Sequence, residues 1–224
     1  MRDPRGICQA DTMADPASPK QAPTRLRPAK REAIEHAGLR VFARLGYTRA
    51  SIDLISQEAG VSTRTIYNHF ENKLGLFSAV LVASATRVAD AFVEQVDAGF
   101  SGADPESDLI VLAQAIVAHR VRFPEHFALV RRMSAETDQF PPEIIDAWLE
   151  AGPRRVRAMI IARLQQLSDA GYLTITDPQA AARHLLALVN SERLTNPEPG
   201  SPPSDTEIAA NVHAFLHGYA KPNS

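Results

Sequence analysis

Residues 51–70 read SIDLISQEAGVSTRTIYNHF and contain the two short segments that decide the fold. Ser51 stands directly before apolar residues at helical spacing, and serine is a preferred N-cap residue. Gly60 ends that segment, because glycine enters the left-handed conformation of a helix C-terminus at little steric cost. Ser62 then offers a second N-cap. We therefore predict a helix over 52–59, a tight turn, and a second short helix.

This arrangement predicts a helix-turn-helix, in which one helix is held firmly enough to enter a major groove of DNA. Small Ser56 permits a close helix crossing, and Ile66 and Phe70 direct the second helix toward a shared core. The outward face of that helix carries side chains of the kinds that contact bases and phosphates, namely Thr63, Arg64, Tyr67 and Asn68. This face predicts DNA binding.

In the rest of the chain, apolar residues recur at helical spacing, and proline and glycine residues separate one predicted helix from the next. A helix over 28–45, ended by Gly46, takes its apolar face from Ile34, Ala37, Val41 and Leu45. Further helices are predicted over 73–99, 106–123, 124–137, 142–150, 153–170, 177–194 and 205–219. Proline and glycine make 196–204 a loop, and 171–176 is too short and isolated for a sheet. The predicted fold class is all-α.

Length and composition favour a globular protein, since 224 residues with 45 % hydrophobic content are enough for a proper core. No apolar run approaches the roughly 18 residues of a membrane span, and the first residues are polar, which favours the cytoplasm and no membrane partner. The single cysteine, Cys8, cannot form a disulfide or a cysteine-based zinc site within one chain.

Charge is segregated along the chain. Residues 1–73 carry 12 Lys or Arg against 8 Asp or Glu, whereas residues 74–224 carry 12 against 18. The N-terminal part is therefore the better candidate for meeting a polyanion. Residues 1–27 are rich in proline and poor in large apolar side chains, which predicts a disordered arm. Its basic residues either reach DNA or belong to a solubilising tail.

Residues 33–80 resemble the N-terminal domain of the TetR family of transcriptional regulators. The residues that carry the resemblance are Phe42, Gly46, Tyr47, Ser51, Ile52, Ile55, Ala59, Gly60, Val61, Ser62, Thr65, Ile66, Tyr67, His69, Phe70, Asn72, Lys73, Leu76 and Phe77. Two positions depart from the family pattern, with Arg64 in place of the usual glycine and Leu74 in place of an acidic residue. This departure implies an additional base or phosphate contact from Arg64, so the operator sequence of relatives is not expected to apply to this chain.

The resemblance implies roles for residues of the helix-turn-helix. Phosphate contacts are implied for Ser62, Tyr67, His69 and Lys73, although His69 could instead pack beside Phe70. Base-edge contacts are implied for Thr63, Arg64, Thr65 and Asn68, and Ser51 is a further DNA-binding candidate. A serine-capped helix N-terminus is physically suited to a phosphate, because its free N–H groups and its dipole both favour an anion.

The later part of the chain resembles, more loosely, the family's variable C-terminal domain. The resemblance divides the chain into an arm over 1–27, a DNA-binding domain over 28–75, and a helical effector-binding and dimerisation domain over 76–220. Candidate effector-pocket residues are Ile116, Phe127, Val130, Met133, Trp148 and Met159. Candidate dimer-interface residues are Leu185, Leu186, Val189, Ile208, Val212, Phe215 and Leu216. Ordinary core packing is the alternative for each residue of both sets.

These observations predict a repressor that binds a palindromic double-stranded operator as a homodimer and responds to a small hydrophobic or amphipathic effector. The alternative is a regulator without a small-molecule effector, either protein-responsive or an activator. An enzyme is disfavoured, since the chain has no nucleophile elbow, P-loop, dinucleotide fingerprint or His-Glu-x-x-His motif. His213 and His217 share a helical face, but no third metal ligand is identifiable. No cofactor is expected.

Overall fold

A computed structural model describes residues 28–190 and 202–219. The described residues form ten α-helices, a 3₁₀ turn over Thr137–Gln139 and no strand, which confirms the all-α class. The helices are α1 (Pro28–Arg49), α2 (Ile52–Ala59), α3 (Thr63–Phe70), α4 (Lys73–Gly99), α5 (Pro105–Arg122), α6 (Pro124–Ala135), α7 (Pro142–Ala151), α8 (Pro153–Asp169), α9 (Pro178–Val189) and α10 (Asp205–Tyr219). The N-terminal arm and Cys8 lie outside the described residues.

The local signals of the N-terminal helices act as expected. Ser51 Oγ accepts from Leu54 N at the start of α2, and Ser62 Oγ accepts from Thr65 N at the start of α3. Gly60 has φ 65° and ψ 34°, the left-handed conformation of a helix C-cap. Gly46 has φ 78° and ψ 175° and interrupts α1 close to the predicted end of that helix. The predicted bounds of α2 and the N-caps of α2 and α3 are therefore confirmed.

Two predicted helices end earlier than expected by more than one residue. The helix predicted over 124–137 ends at Ala135, because Thr137 Oγ1 donates to the Ser134 carbonyl (2.8 Å) and the chain tightens into the 3₁₀ turn. The helix predicted over 177–194 ends at Val189, where Asn190 Nδ2 donates to the Leu186 carbonyl (2.6 Å). Residues 191–201, which include most of the predicted loop, lie outside the described range.

The first of two apolar cores gathers helices α1 to α4. Its centre is an aromatic cluster in which Phe77 stacks on Phe140 (centroids 4.7 Å apart) and meets Phe42 edge-on (5.0 Å). Tyr47 packs edge-on against Phe77 (5.2 Å). Leu129 and other residues of α6 and α7 also enter this core. Helices α1 to α3 are therefore supported by helices from the second half of the chain, while the predicted division at residue 75 stays a prediction.

The second core lies between α4, α5, α8, α9 and α10. Phe92 of α4, Leu112 of α5 and Leu164 of α8 are fully or almost fully buried there. The segment between α8 and α9 is tied to the end of α10, since Thr174 N donates to the Tyr219 carbonyl (2.8 Å). α4 contributes to both cores and runs between helices α1 to α3 and the rest of the molecule.

Helix α4 differs from the expectation that no segment of the chain approaches the apolar length of a membrane span. Its 27 residues contain an 18-residue window of mean hydropathy 1.6, so one described helix is long and apolar enough to cross a membrane by length and composition alone. In the fold, 56 % of that window is buried inside the protein. The apolarity of α4 follows from its central place between the two cores, where both of its sides meet other helices.

Candidate nucleic-acid interface and ligand cavity

The α2–α3 unit is held together by short-range bonds. Ser56 is buried, and its Oγ donates to the Asp53 carbonyl (2.8 Å), so no polar group is left unpaired at the helix crossing. The turn is closed by Val61 N, which donates to the Ser56 carbonyl (3.0 Å). Ile66 and Phe70 are buried and anchor α3. These contacts fix the orientation of α3 on one side. The opposite side of α3 does not pack against the other described helices and is exposed.

The predicted DNA-binding side chains lie together on and beside α3. Arg64, Tyr67 and Asn68 are exposed, and Tyr67 has 51 % of its surface accessible, which is unusual for a large aromatic side chain. Thr63, Thr65 and His69 are half-buried. Ser62 is exposed at the N-terminus of α3, and its Oγ lies 2.9 Å from Thr65 Oγ1. The arrangement presents one aromatic ring, one cation and several hydroxyl and amide groups on a single rigid face.

Two predicted DNA contacts lie in different surroundings. Ser51 is half-buried and serves as the α2 N-cap. Lys73 Nζ donates to the Thr48 carbonyl (3.2 Å) and lies 4.6 Å from the centre of the Tyr47 ring. Burial lowers the pKa of Lys73, and the nearby Glu136 carboxylate acts in the opposite direction. Lys73 is thus held at the junction of α1, α4 and the end of α6.

A charged contact that sequence patterns do not reveal joins α6 to α1. The Glu136 carboxylate accepts from both Thr48 N (2.9 Å) and Thr48 Oγ1 (2.8 Å), and Arg132 donates to the Arg44 carbonyl (3.3 Å). Gly46 makes room for this contact, because a Cβ there would collide with Glu136 Oε1. The partners are 88 residues apart, so no local spacing predicts their meeting.

A cavity of about 260 Å³ is lined by residues of the six helices α4 to α9. Four of the six candidate pocket residues line it: Ile116, Phe127, Val130 and Trp148. The other two lie elsewhere, since Met133 is buried in the first core and Met159 packs against the second. These two positions correct the predicted pocket. Both side chains are apolar and inward-facing as the pattern requires, but periodicity does not distinguish a filled core from a cavity wall.

Two histidines at this cavity, His119 and His126, are buried. Ser84 Oγ donates to the Leu81 carbonyl (3.0 Å), so the neutral His126 ring donates from Nδ1 to Ser84 Oγ (3.0 Å). His119 pairs through Nδ1 with the Ala115 carbonyl. Burial lowers the pKa of His119, and burial with a smaller contribution from Arg87 lowers the pKa of His126 to about 4. Both rings are neutral near pH 7.

We expect the protein to lose stability in mild acid because of these rings. The pKa of His126 is about 4 in the fold, against about 6.5 for an unfolded histidine, so the unfolded chain binds more protons between these values. Stability is retained above pH 6.5 and falls as the pH drops toward 4. Between pH 7.5 and pH 5 this amounts to about 2 kcal/mol of unfolding free energy.

Urea denaturation at the two pH values measures this loss, with His126→Gln as the test variant and His36→Gln, at an exposed site on α1, as the control. His126→Gln should remove most of the pH dependence, whereas His36→Gln should keep it. An equal loss of stability in all three proteins would show that other groups cause it. His119 acts in the same direction and accounts for a remaining dependence.

Most candidate dimer residues are already used within one chain. Leu185, Val189, Ile208, Val212 and Phe215 are buried in the second core, so the prediction that they contact a partner is corrected in favour of core packing. Leu186 lines the cavity and is half-buried, and Leu216 is half-buried beside the same core. The outward faces of α9 and α10 carry different side chains, namely Arg183, His184, Ala187, Ala210, His213, Ala214, His217 and Gly218.

His213 and His217 lie side by side on the outward face of α10, with 2.8 Å between their Nε2 atoms. Within residues 28–190 and 202–219, no group of three or more His, Cys, Asp or Glu side chains is placed to hold a metal ion. The geometry therefore adds no third ligand to this pair.

Two family models match the chain. Residues 34–80 match the model described as bacterial regulatory proteins of the tetR family. Residues 107–221 match the model described as the C-terminal domain of AefR-like transcriptional repressors. The two matches correspond to the helix-turn-helix with its supporting helices and to the helices around the second core.

Individual relatives extend over most of the chain. The HTH-type transcriptional regulator BetI of Pseudomonas aeruginosa is 24 % identical over 198 residues, which cover 84 % of this chain and 90 % of BetI. A TetR-family transcriptional regulator from Mesorhizobium loti matches 87 % of this chain and 100 % of its own, with 28 % identity and a TM-score of 0.76. A transcriptional regulator from Saccharomonospora viridis, solved in complex with choline, has 22 % identity and a TM-score of 0.67 over 87 % and 100 % of the two chains, which indicates a shared fold.

Proposed function

The chain belongs to the TetR family of DNA-binding transcriptional regulators, and we propose that it is a cytoplasmic, homodimeric repressor whose operator binding is relieved by a small molecule. The observation that carries this proposal is the outward face of α3, where Arg64, Tyr67 and Asn68 are exposed while Ile66 and Phe70 anchor the helix. A rigid helix with an exposed aromatic and cationic face has no packing role inside its own chain.

The face of α3 supports both kinds of DNA contact. Arg64 and Asn68 have the hydrogen-bonding groups that pair with guanine and adenine edges in the major groove. Tyr67 and the Ser62-capped N-terminus of α3 suit phosphates, because a hydroxyl and free N–H groups donate to an anion. Arg64 replaces the glycine usual in the family, so it gives this regulator a contact of its own and an operator preference distinct from those of relatives.

Dimerisation is part of the proposal, because one recognition helix makes too few base contacts for tight discrimination. Two copies related by a dyad place their α3 helices about one DNA turn apart, roughly 34 Å. The outward faces of α9 and α10 suit a partner copy, since Ala187, Ala210, Ala214 and Gly218 leave room for close helix approach and Leu188 and Leu216 remain partly exposed. We propose this surface in place of the interface predicted from the sequence, because most residues of that interface are buried within one chain.

Ligand response is supported by the position of α6. His126, Phe127 and Val130 of α6 line the cavity, and two turns later Glu136 at the end of the same helix binds Thr48 in α1. A ligand that prefers one position of α6 therefore changes the support of the DNA-binding helices. Operator affinity falls by the ratio of the ligand's affinities for the two states. The choline complex of the Saccharomonospora protein supports the view that this fold admits small molecules.

The proposal is tested by binding of the purified full-length protein to the DNA flanking its own gene, with sedimentation used to count protomers on the DNA. Saturable binding of a dimer to a near-palindromic site that weakens with salt supports it. Binding that is weak and independent of sequence on every fragment, including fragments selected from random DNA, contradicts it. A sequence-specific complex that no small molecule releases supports a regulator controlled by a protein partner instead.

The negative charge of Glu136 near the Lys73 ammonium group gives a separate prediction. We expect Glu136→Gln to raise operator affinity by about twofold to fivefold at low salt, an effect of roughly 0.5–1 kcal/mol, because it removes a partly exposed negative charge beside a phosphate-binding lysine. The amide oxygen still accepts from Thr48, so the support of α1 by α6 is kept. The gain should disappear at high salt. Asp138→Asn is the matched control, since it removes an equal charge from an exposed site two residues away. Equal gains in both variants would mean that only net charge matters.

A further inference from the structure

The charge of the cavity wall points to a ligand class. Sixteen residues line the cavity, and they include two cationic side chains, Arg120 and Arg157, but no Asp or Glu. The neighbouring His119 and His126 are neutral near pH 7, because burial lowers their pKa values. The cationic side chains of the wall are therefore Arg120, which is half-buried, and Arg157, which is exposed at the rim.

The two arginines are not neutralised by the protein around them. In the part of the chain that the structure describes, neither Arg120 nor Arg157 has a carboxylate oxygen within 4 Å. By contrast, Arg154 on the same helix as Arg157 pairs with Asp146 (3.1 Å) and Glu150 (2.5 Å). Arg155, also on α8, pairs with Asp90 (2.7 Å). On α8, Arg154 and Arg155 thus have carboxylate partners, whereas Arg157, which lines the cavity, has none within 4 Å among the described residues.

A hydrogen-bond donor at the cavity also lacks a partner. Trp148 lines the cavity, and its Nε1 atom is buried without an acceptor among the described residues. Buried N–H groups are almost always paired in folded proteins, so an unpaired one needs an explanation. His119 Nε2, an acceptor when Nδ1 donates to the Ala115 carbonyl, is likewise buried without a partner, so the unpaired groups beside the cavity are one donor and one acceptor. The two guanidinium groups are donors on the cavity wall, and a carboxylate is the acceptor that satisfies such donors best.

The rest of the wall is apolar. Val88, Phe92 and Ile116 lie on one side, and Phe127 and Val130 of α6 on another. The volume of about 260 Å³ is just below the roughly 300–1,000 Å³ of sites for drug-sized ligands. A single ring or a short alkyl chain is therefore the body that fits, with its charged group near the arginines.

We propose that this cavity binds a small organic anion, with an apolar ring or short chain and one carboxylate-type group, and that it selects against cations such as choline. The inference rests on the proposed function, in which the cavity is the effector site. It distinguishes this chain from the choline-bound Saccharomonospora protein on the basis of its own lining residues.

Trp148 is the only tryptophan of the chain, so its fluorescence reports directly on the cavity. Full-length protein is titrated with sodium benzoate, with benzamide as a neutral compound of nearly the same shape, and with choline chloride. We expect saturable quenching by benzoate, at least tenfold weaker binding of benzamide, and no saturable response to choline. Arg120→Gln and Arg157→Gln should each weaken the binding of benzoate at least fivefold and leave the binding of benzamide unchanged.

Arg154→Gln and Arg155→Gln are the matched controls, because they remove an arginine from the same surface region of α8 without touching the cavity. The proposal is overturned if Arg154→Gln or Arg155→Gln weakens benzoate binding as much as the cavity variants do. It is also overturned if choline or benzamide binds as tightly as benzoate, or if none of the three probes binds the folded protein. Operator binding is measured on the same samples, so an intact operator complex with a failed anion test contradicts only this inference, and a wild type that does not bind operator contradicts the proposed function.

Discussion

Arg64→Ala and Tyr67→Ala are each expected to weaken operator binding by about tenfold or more while the protein stays folded. A bidentate base contact or a well-placed phosphate contact contributes about 1–3 kcal/mol to recognition, and each variant removes one such contact in both halves of a dimer. Folding is spared because Arg64 is exposed and Tyr67 has 51 % of its surface accessible. The measurement is a binding titration on the operator and on an unrelated fragment of the same length.

The two variants should differ in what they change. Loss of a base contact by Arg64→Ala lowers the preference for operator over unrelated DNA, whereas loss of a phosphate contact by Tyr67→Ala weakens both complexes. Arg131→Ala, at an exposed position of α6 on another part of the molecule, is the control for removing an arginine and should bind like the wild type. If Arg64→Ala and Tyr67→Ala both retained wild-type affinity, α3 would not be the recognition helix.

Phe77→Ala is expected to lower the unfolding free energy by about 3–5 kcal/mol, the usual cost of removing a buried phenylalanine side chain. Phe77 has 1 % of its surface exposed and contacts three aromatic rings, those of Phe42, Tyr47 and Phe140. It therefore joins α4 to α1 and to the residues before α7. Urea denaturation followed by circular dichroism measures the change, and operator binding should be lost in parallel because α1 and α4 support α3.

Phe77→Leu keeps most of the buried volume and should cost clearly less than the alanine variant. Val121→Ala removes an apolar side chain that is 60 % exposed, and it should change stability by less than about 0.5 kcal/mol. A Phe77→Ala protein as stable as Val121→Ala would show that the aromatic cluster is not a centre of the core. A stable Phe77→Ala protein without operator binding would instead place the effect in the orientation of α3.

The helices could be predicted from the sequence because their determinants are local. Ser51 and Ser62 cap the helices that follow them, and Gly60 supplies the left-handed turn, all within a few residues of chain. Apolar spacing likewise identified the inward faces of α1 to α3. The ends of α6 and α9 were misplaced because the Thr137 and Asn190 side chains bond to preceding carbonyl groups, a competition that periodicity does not register.

The sequence predicted the exposed face of α3 in full and the cavity in part, since four of the six predicted pocket residues line it. The outward face of α3 follows from the positions of Ile66 and Phe70, which fix by helical geometry which side chains point away from the core. In the second half of the chain, the same reasoning identified apolar residues but not their partners. Val212 and Phe215 were assigned to a dimer contact and pack inside one chain, and Met133 was assigned to the cavity and fills the first core.

The sequence by itself determined the all-α class, the helix-turn-helix and the family, because capping, glycine conformation and apolar spacing act between residues close in the chain. Tertiary structure alone decided which apolar faces meet one another, where a cavity remains between them, and which charges stay unpaired beside it. Glu136 reaches Thr48 across 88 residues, and Arg120 and Arg157 come to one cavity from α5 and α8. Such contacts depend on how whole helices pack, so no short stretch of sequence contains them.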